Sequence, residues 1–478
     1  MKRFEQTPAV LRNLALGLCL LACMPAWSQT DNTSSREPVP ALVGVDSSTP
    51  TNTNDTAPSH SDDRMLTSPV VSGQAYPTSL GSGERSNYLR GGLSFTTAYT
   101  DNVLGTVNGT PVPDVSYSVF PTIALNETTS LMHTEFTYAP GFTFYQRVSA
   151  RNEADQNASI NFQYRLSPHV TFSAQDGFRK SSNVFNQSDV ASSAGVSAGA
   201  QVANFSVIAP TADSLSNSGN VGFAYQFARN AMIGVSGTFS NLHYPNPAEV
   251  PGLYDSNTQA GSAFYSFRIS KMHYVGAAYQ YQRLVSYPTG GLAETQTHAA
   301  IFFYTVYPTT KFSISFFGGP QHSDTMLPPF PPLQPQSSET RAWAPAAGAS
   351  LSWQGRLNSF SLSYAHIISG GGGLISAVKM DNASAVFRQQ ITKTLSGSLS
   401  GGYVQNDLLG RYVAGMNNGH SVSGTASLQQ MVGEHWSVQL GYSRIHQDYS
   451  GVTVLALTPD TNREFVSVSY QFSRPLGR

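Results

Sequence analysis

Cysteine is almost absent from this sequence. The chain has 478 residues and two cysteines, Cys19 and Cys23, and both fall within its first 28 residues. If cleavage follows Ser28, the mature chain can form no disulfide. It then also has no thiolate for metal binding or nucleophilic catalysis.

Charge and long apolar runs are scarce too. Asp, Glu, Lys and Arg make up 12% of the residues, about half of the roughly 25% found in soluble domains. The formal net charge of −1 offers no basic surface to nucleic acid, so no such partner is expected. We find no uninterrupted apolar run of about 18 residues, the length that suggests a membrane helix. Low charge without such a run favours a barrel whose strands meet lipid on one side.

Local signatures of catalysis and metal binding are missing. The eleven histidines show no H-x-x-x-H spacing. The elbow-like Gly195–Gly199 (GVSAG) lies in a Ser- and Ala-rich stretch rather than between a strand and a helix. We therefore expect no enzyme, no catalytic residue, no cofactor and no metal. Catalysis would need residues that converge from separate strands.

The first 28 residues have the pattern of a secretory signal peptide. A positive region, an apolar core and a small-residue cleavage site follow one another: Lys2, Arg3 and Arg12, then Leu14–Cys23, then Ala26–Ser28. The pattern predicts export through the general secretory route and removal of residues 1–28. Leu20–Cys23 also resembles a lipobox, which would place a lipid on Cys23 instead.

Residues 29–86 are rich in Ser, Thr, Pro, Asp and Asn. They cannot bury enough apolar surface to offset the entropy lost on ordering, so we expect a disordered periplasmic arm. It would serve as a spacer or as a partner-binding tail.

Residues 87–478 alternate apolar and polar side chains. Val466, Val468, Tyr470 and Phe472, for example, alternate with Ser467, Ser469 and Gln471. The polar side is mostly uncharged, and segments of about ten residues match tilted membrane strands. The pattern predicts an all-β fold: a transmembrane antiparallel β-barrel of about 18 strands, with 16 as the alternative. A soluble propeller remains open, since spacing near 40 residues also suits propeller blades.

Eight tight turns alternate with nine long connections. The turns are Glu127–Ser130, Ser167–Pro168, Ala228–Asn230, Ser270–Met272, Pro308–Thr310, Gln354–Leu357, Gln390–Lys393 and Gly433–His435. Aromatics gather near them: Tyr164, Phe227, Phe267, Tyr307, Trp353, Phe387, Trp436 and Phe472. This rhythm predicts periplasmic turns and outward-facing loops. Loop 180–215 is a candidate plug, 328–332 is stiff, and 370–373 is predicted to be flexible.

Five arginines are candidates for lining the barrel lumen. Alternation places Arg165, Arg268 and Arg388 on the polar side, and Arg283 and Arg444 are further candidates. A cluster of them would favour anionic solutes. Isolated arginines would be solvated or paired with loop acids.

Tyr99-Thr-Asp-Asn102 resembles the early aromatic-x-Asp-Asn of outer-membrane β-barrel porin families found beside exopolysaccharide genes. The resemblance covers most of residues 88–472. It implies a barrel of the cell outer membrane that aids polysaccharide export, with outer-membrane lipid, the barrel-assembly machinery and polysaccharide as partners. Such barrels often end on an aromatic residue, whereas Phe472 is followed here by Ser473–Arg478.

The function expected from the sequence is a passive pore or export conduit for polysaccharide or small polar solutes. The alternative is a non-transporting surface or scaffold barrel whose long loops bind a partner or polysaccharide.

Overall fold

The computed structural model describes residues 87–104, 111–181, 212–247, 253–288, 291–309, 311–329, 336–371, 375–409, 418–449 and 460–475. The predicted signal peptide (1–28), the predicted arm (29–86) and most of loop 180–215 lie outside the described residues. Within the described part, no helix is long and apolar enough to cross a membrane.

The described chain forms eighteen strands, the number predicted. They are β1 Tyr88–Thr100, β2 Asp114–Thr128, β3 Met132–Tyr145, β4 Glu153–Arg165, β5 Val170–Ser181, β6 Ser214–Ala228, β7 Ala231–His243, β8 Ser256–Arg268, β9 His273–Ser286, β10 Ala293–Thr309, β11 Phe312–Leu327, β12 Ser338–Gln354, β13 Asn358–Gly371, β14 Ile375–Gln390, β15 Leu395–Leu408, β16 Asn418–Val432, β17 Trp436–Tyr449 and β18 Asp460–Pro475. A 3-10 turn over Ser149–Arg151 precedes β4.

The strands close into an antiparallel barrel. Each pairs with the next along the chain, and β1 pairs with β18 from Tyr88 opposite Pro475 to Thr100 opposite Arg463. Closure leaves no free edge at this seam. The residues after Phe472 continue the last strand, since Arg474 lies opposite Leu89.

The eight predicted tight turns are confirmed as the short connections, and all lie at one end of the barrel. One predicted long connection is wrong. The stretch 370–373 was predicted to be a flexible part of it, but β13 runs on to Gly371 and β14 begins at Ile375. Gly370 is paired with Ala377 inside this ladder, so part of the stretch predicted to be flexible is strand.

The two sides of each strand differ, as alternation requires. On β10, Phe302 is 66% exposed, whereas Thr305, three residues on, is 0% exposed. Most exposed large apolar residues lie on the outer side, and buried Ser and Thr residues lie on the inner side. The buried interior of this fold is therefore largely polar, and its apolar surface faces outward.

Candidate functional site: the barrel interior

Hydroxyl groups bonded across neighbouring strands line much of the inner side. The pairs, with oxygen–oxygen distances, are Ser94–Ser469 at 3.0 Å, Ser118–Thr143 at 2.9 Å, Ser236–Ser262 at 2.8 Å, Thr305–Ser315 at 2.8 Å, Ser363–Ser384 at 2.8 Å, Ser398–Ser427 at 2.8 Å and Thr425–Ser443 at 3.1 Å. Hydroxyls both donate and accept. These bonds couple neighbouring strands and give the inner wall polar groups without charge.

Charge is confined to one sector of this inner wall. Among the described inner-side residues of β6 to β17, only Arg268 and Arg388 are charged. Strands β2 to β4 and β18 carry more. Arg463 of β18 interacts electrostatically with Glu153 and Asp155 of β4. The interior thus has a neutral sector of twelve strands beside a charged sector centred on the seam.

Three of the predicted arginines lie on the inner side by alternation. Arg165 ends β4 and Arg268 ends β8, while Arg388 lies near the end of β14, all toward the tight turns. Arg268 donates through Nη2 to Asn230 Oδ1 at 3.0 Å and to Arg229 O at 3.3 Å, which ties it to the β6–β7 turn. Four and six strands separate the three arginines, so they form no cluster. A lumen-lining role for them stays a prediction.

The other two arginines are placed differently from the expectation. Arg283 shares its side of β9 with exposed Tyr279, and its Nε lies 2.8 Å from Glu294 Oε1 on the outer side. Arg444 likewise lies on the outer side of β17, 2.7 Å from Asp460. Both are near the long-loop end, where an outward charge can meet water above the apolar surface.

Inward phenylalanines lie flat on glycines of the neighbouring strand. Direct cross-strand pairs are Phe264–Gly234, Phe303–Gly276, Phe317–Gly348 and Phe465–Gly441. A Cβ built at each of these glycines would come within 2.4 Å of the phenylalanine ring. Glycine therefore lets each ring lie against the wall instead of standing into the lumen.

An apolar cluster, which we call the inner cluster, interrupts the hydroxyl lining. Its buried members are Ala278, Ala299, Ile301, Phe303, Phe317, Ala365, Ile367, Val378, Met380 and Val404. They come from β9 to β11 and from β13 to β15. Sequence reasoning missed this cluster, although the run 299–306 (AAIFFYTV) is apolar on both sides of a strand.

The outer side carries an apolar belt bounded by aromatics. Aromatic rings contact one another near the tight turns, from Phe162 and Phe172 to Phe223, whose centroids are 6.1 and 4.9 Å apart in turn. Trp343 and Trp353 share the outer side of β12, ten residues apart. For a strand tilted by about 40°, that separation spans about 25 Å, the height of the apolar band of an outer-membrane barrel.

Polar pairs, which we call the outer rim, lie beyond this belt at the long-loop end. On the outer side, Tyr279 meets His298 at 2.7 Å, Arg341 meets Asp324 at 3.2 Å, His366 meets Asp381 at 2.8 Å and His446 meets Asp460 at 3.2 Å. Just after β7, burial and nearby Asp255 raise the pKa of Tyr244, which keeps its phenol protonated. The rim marks the end of the apolar belt on the long-loop side.

Within the described residues, no group of three or more His, Cys, Asp or Glu is placed to hold a metal ion. No family model and no curated protein matches the chain.

Solved structures of outer-membrane barrels match weakly. OpdQ of Pseudomonas aeruginosa is 10% identical with a TM-score of 0.40, over 81% of this chain and 99% of that one. OccAB4 of Acinetobacter baumannii is 7% identical with a TM-score of 0.38, over 82% and 100%. The unliganded ferric citrate transporter FecA is 9% identical with a TM-score of 0.42, over 82% and 79%. Because these similarities are weak, the assignment of a closed barrel rests on the strand pairing of this chain.

Proposed function

We propose that the chain is an outer-membrane barrel that forms a passive pore for neutral, hydroxyl-rich solutes. One observation carries the proposal: a closed barrel with an apolar belt outside and a largely uncharged hydroxyl wall inside. The polysaccharide expected from the family resemblance belongs to this solute class.

The outer side supports the membrane setting. Phe302 is 66% exposed and Trp343 is 72% exposed. A soluble protein rarely exposes a continuous apolar band, because such patches promote association. Between the turn-side aromatics and the outer rim, the belt has the height of a bilayer core.

The inner side supports the solute class. A sugar hydroxyl that leaves water can exchange hydrogen bonds with the half-buried hydroxyls of the lining, such as the Ser363–Ser384 and Ser398–Ser427 pairs, since each can donate or accept. An ion gains nothing comparable from a neutral wall, and pore selectivity follows the charge of the lining. The neutral sector from β6 to β17 is therefore suited to solutes without charge.

Solute flux through purified barrels tests this proposal. In planar bilayers we expect discrete conductance steps. In liposome-swelling assays glucose should enter faster than gluconate and glucosamine, which match its size but carry charge. Migration that changes on boiling verifies that the barrel is folded. Folded barrels that give neither conductance nor swelling would rule out a pore that stands open without a trigger.

A non-transporting surface barrel is the second candidate, because the inner cluster occupies part of the interior. Its long loops would then bind a partner or polysaccharide. Loop 180–215, the sequence-based candidate for a plug, lies mostly outside the described residues. Deleting residues 185–210 separates the two functions, since a plug predicts conductance only after the deletion.

A further inference from the structure

The ladder between β12 and β13 stops halfway. Pairing runs from Gln354 opposite Ser359 to Ala347 opposite His366 and ends there. Among the described residues, the strand pairing of β12 continues to Ser338 with β11, and that of β13 continues to Gly371 with β14. The barrel wall is therefore split between these two strands at the long-loop end.

The free side of β12 has the features of a protected edge. Pro345 lies in the unpaired stretch and removes one ladder donor, and proline within sheets is confined largely to edges and bulges. Arg341 and Glu339 add exposed charge there, bonded to each other at 2.5 Å. Natural edge strands use these devices to avoid further pairing. These devices weaken pairing across the split without preventing it, so the sequence favours the split as the resting arrangement.

Across the split, the end of β13 is folded into the barrel. A Cβ built at Gly370 would lie 2.9 Å from Leu284 Cδ1 of β9. Four strand steps separate β9 from β13, about 19 Å along an unfolded wall. Contact at this range requires the β13 end to leave the wall and cross the interior.

The sides that meet confirm that the end is tucked inside the wall. Leu284 shares the inner side of β9 with Gln282 and packs in one buried cluster with Ile368, Ala377 and Leu409. Ile368 shares the side of β13 that faces outward at exposed Tyr364. The outer side of the β13–β14 end therefore packs on the inner side of β9.

Both sides of the tucked end are buried. Ile368 and Ala377 pack on β9, while Ile367 and Val378 belong to the inner cluster with Phe303. Val378 and Ala377 are both 0% exposed. Ordinary wall strands keep their outer side exposed, as at Phe302, so burial of both sides sets this end apart as a stopper built from the wall.

We propose that the described ends of β13 and β14, Ile367–Gly371 and Ile375–Met380, form a gate. The gate closes the pore at the long-loop end of the barrel. The gate opens when β13 swings back and extends its ladder along β12. Extending the existing register sets Ala344 opposite Ser369 and adds up to five pairs. The inference rests on the proposed pore function and adds its regulation.

The side chains of the gate have suitable surroundings in both the closed and the open position. When it is closed, Ile368 and Ala377 pack on Leu284 and shield apolar surface from water. When it is open, Ile368 and Ala377 would face lipid beside Trp343, while Lys379, opposite Ile368 on the same side, would extend its charge toward the outer rim. The backbone groups of Ala344 and Ser369 would then pair with each other. Gating by apolar contact is a known way to exclude water from a channel.

Two engineered disulfides hold the gate in either position, in a mature chain that lacks cysteine. Leu284→Cys with Gly370→Cys closes it, since the close packing of these two positions suits a disulfide, whose Cβ atoms lie about 3.5–4.5 Å apart. Ala344→Cys with Ser369→Cys opens it. Ser350→Cys with Ser363→Cys is the matched control, because these residues already oppose each other on the same two strands.

Single-channel conductance is measured for each pair before and after reduction. We expect oxidised L284C/G370C to lose more than about half of the reduced conductance, and oxidised A344C/S369C to exceed its reduced form by about twofold or more. The control should not change. A disulfide in A344C/S369C that fails to form, or equal conductance in all oxidised and reduced forms, overturns the gate while leaving a pore. Folded protein that never conducts, even as oxidised A344C/S369C, rejects the pore itself.

Discussion

Phe302 shows how one residue reports on the medium around the barrel. It lies mid-strand on the outer side of β10 and is 66% exposed. We expect Phe302→Lys to lower the free energy of unfolding by about 2–4 kcal/mol in lipid, because the midplane of a bilayer disfavours charge. Reversible urea unfolding in phospholipid vesicles measures this.

Phe302→Leu is the control and should cost much less, since it keeps an apolar side chain in the same place. If Phe302→Lys changes stability by less than about 0.5 kcal/mol, as is usual at a wetted surface, the belt faces water. A soluble β protein would then be the better interpretation.

Gly441 tests the flat packing of the inward phenylalanines. A Cβ there would lie 2.2 Å from Phe465 Cζ, and the three nearest atoms all belong to that ring. We expect Gly441→Ala to cost about 1–3 kcal/mol by overpacking. Adding Phe465→Leu should restore most of the loss, and urea unfolding of the two single variants and the double variant measures it.

Gly401 of β15 provides the matched comparison, because the nearest atom to a Cβ there is Ser423 O at 3.6 Å. Gly401→Ala should be neutral or slightly stabilising. Equal losses at Gly401 and Gly441 would contradict ring packing as the cause.

At single residues, the sequence predicts the side of a strand well where alternation is unambiguous. Arg165 follows a clear apolar–polar alternation, and the strand places it on the polar side. In β9, both sides carry large or polar residues, such as Tyr279 and Gln280, so the side of Arg283 could not be read. Contacts across the barrel, such as Leu284 with Gly370, leave no local pattern at all.

At the scale of elements, the number of strands and their turns could be predicted, but their outer ends could not. Segments of about ten residues were predicted, whereas β11 runs over Phe312–Leu327, which is 16 residues. Beyond the apolar belt both sides of a strand meet polar surroundings, as His322 and Asp324 do, and alternation fades. The unpaired β12 edge and the tucked β13 end lie in this region, where alternation does not predict the structure.

The hydroxyl pairs predict how neighbouring strands are coupled. Ser118 of β2 and Thr143 of β3 are directly opposed, both 1% exposed, with oxygens 2.9 Å apart. Thr143→Val should cost about 1–3 kcal/mol, because it leaves a buried hydroxyl without its partner.

Replacing both residues, Ser118→Ala with Thr143→Val, should cost less than the sum of the single changes by about 1 kcal/mol. A double-mutant cycle by urea unfolding measures this coupling. Strict additivity would mean that the two hydroxyls act independently of each other.

For the whole molecule, the barrel should form without residues 29–86. β1 finds both of its partners, β2 and β18, within the described residues. Deleting 29–86 while keeping residues 1–28, the predicted signal peptide, should leave heat-modifiable migration and the β-sheet circular dichroism spectrum unchanged. Extending the deletion through Thr100 removes β1 and should abolish both, and loss of folding in the shorter deletion would show that the arm contributes to the fold.

The seam between β1 and β18 also constrains the order in which strands can pair during folding. The hydrogen-bonded side chains of Ser94 and Ser469 are 375 positions apart in the sequence. β1 therefore cannot pair with β18 until the last strand has been synthesised. Contacts this distant slow folding. Every shortened product keeps two open strand edges that invite aggregation. A complete barrel therefore differs from a shortened chain in one structural feature: its first and last strands, β1 and β18, are paired.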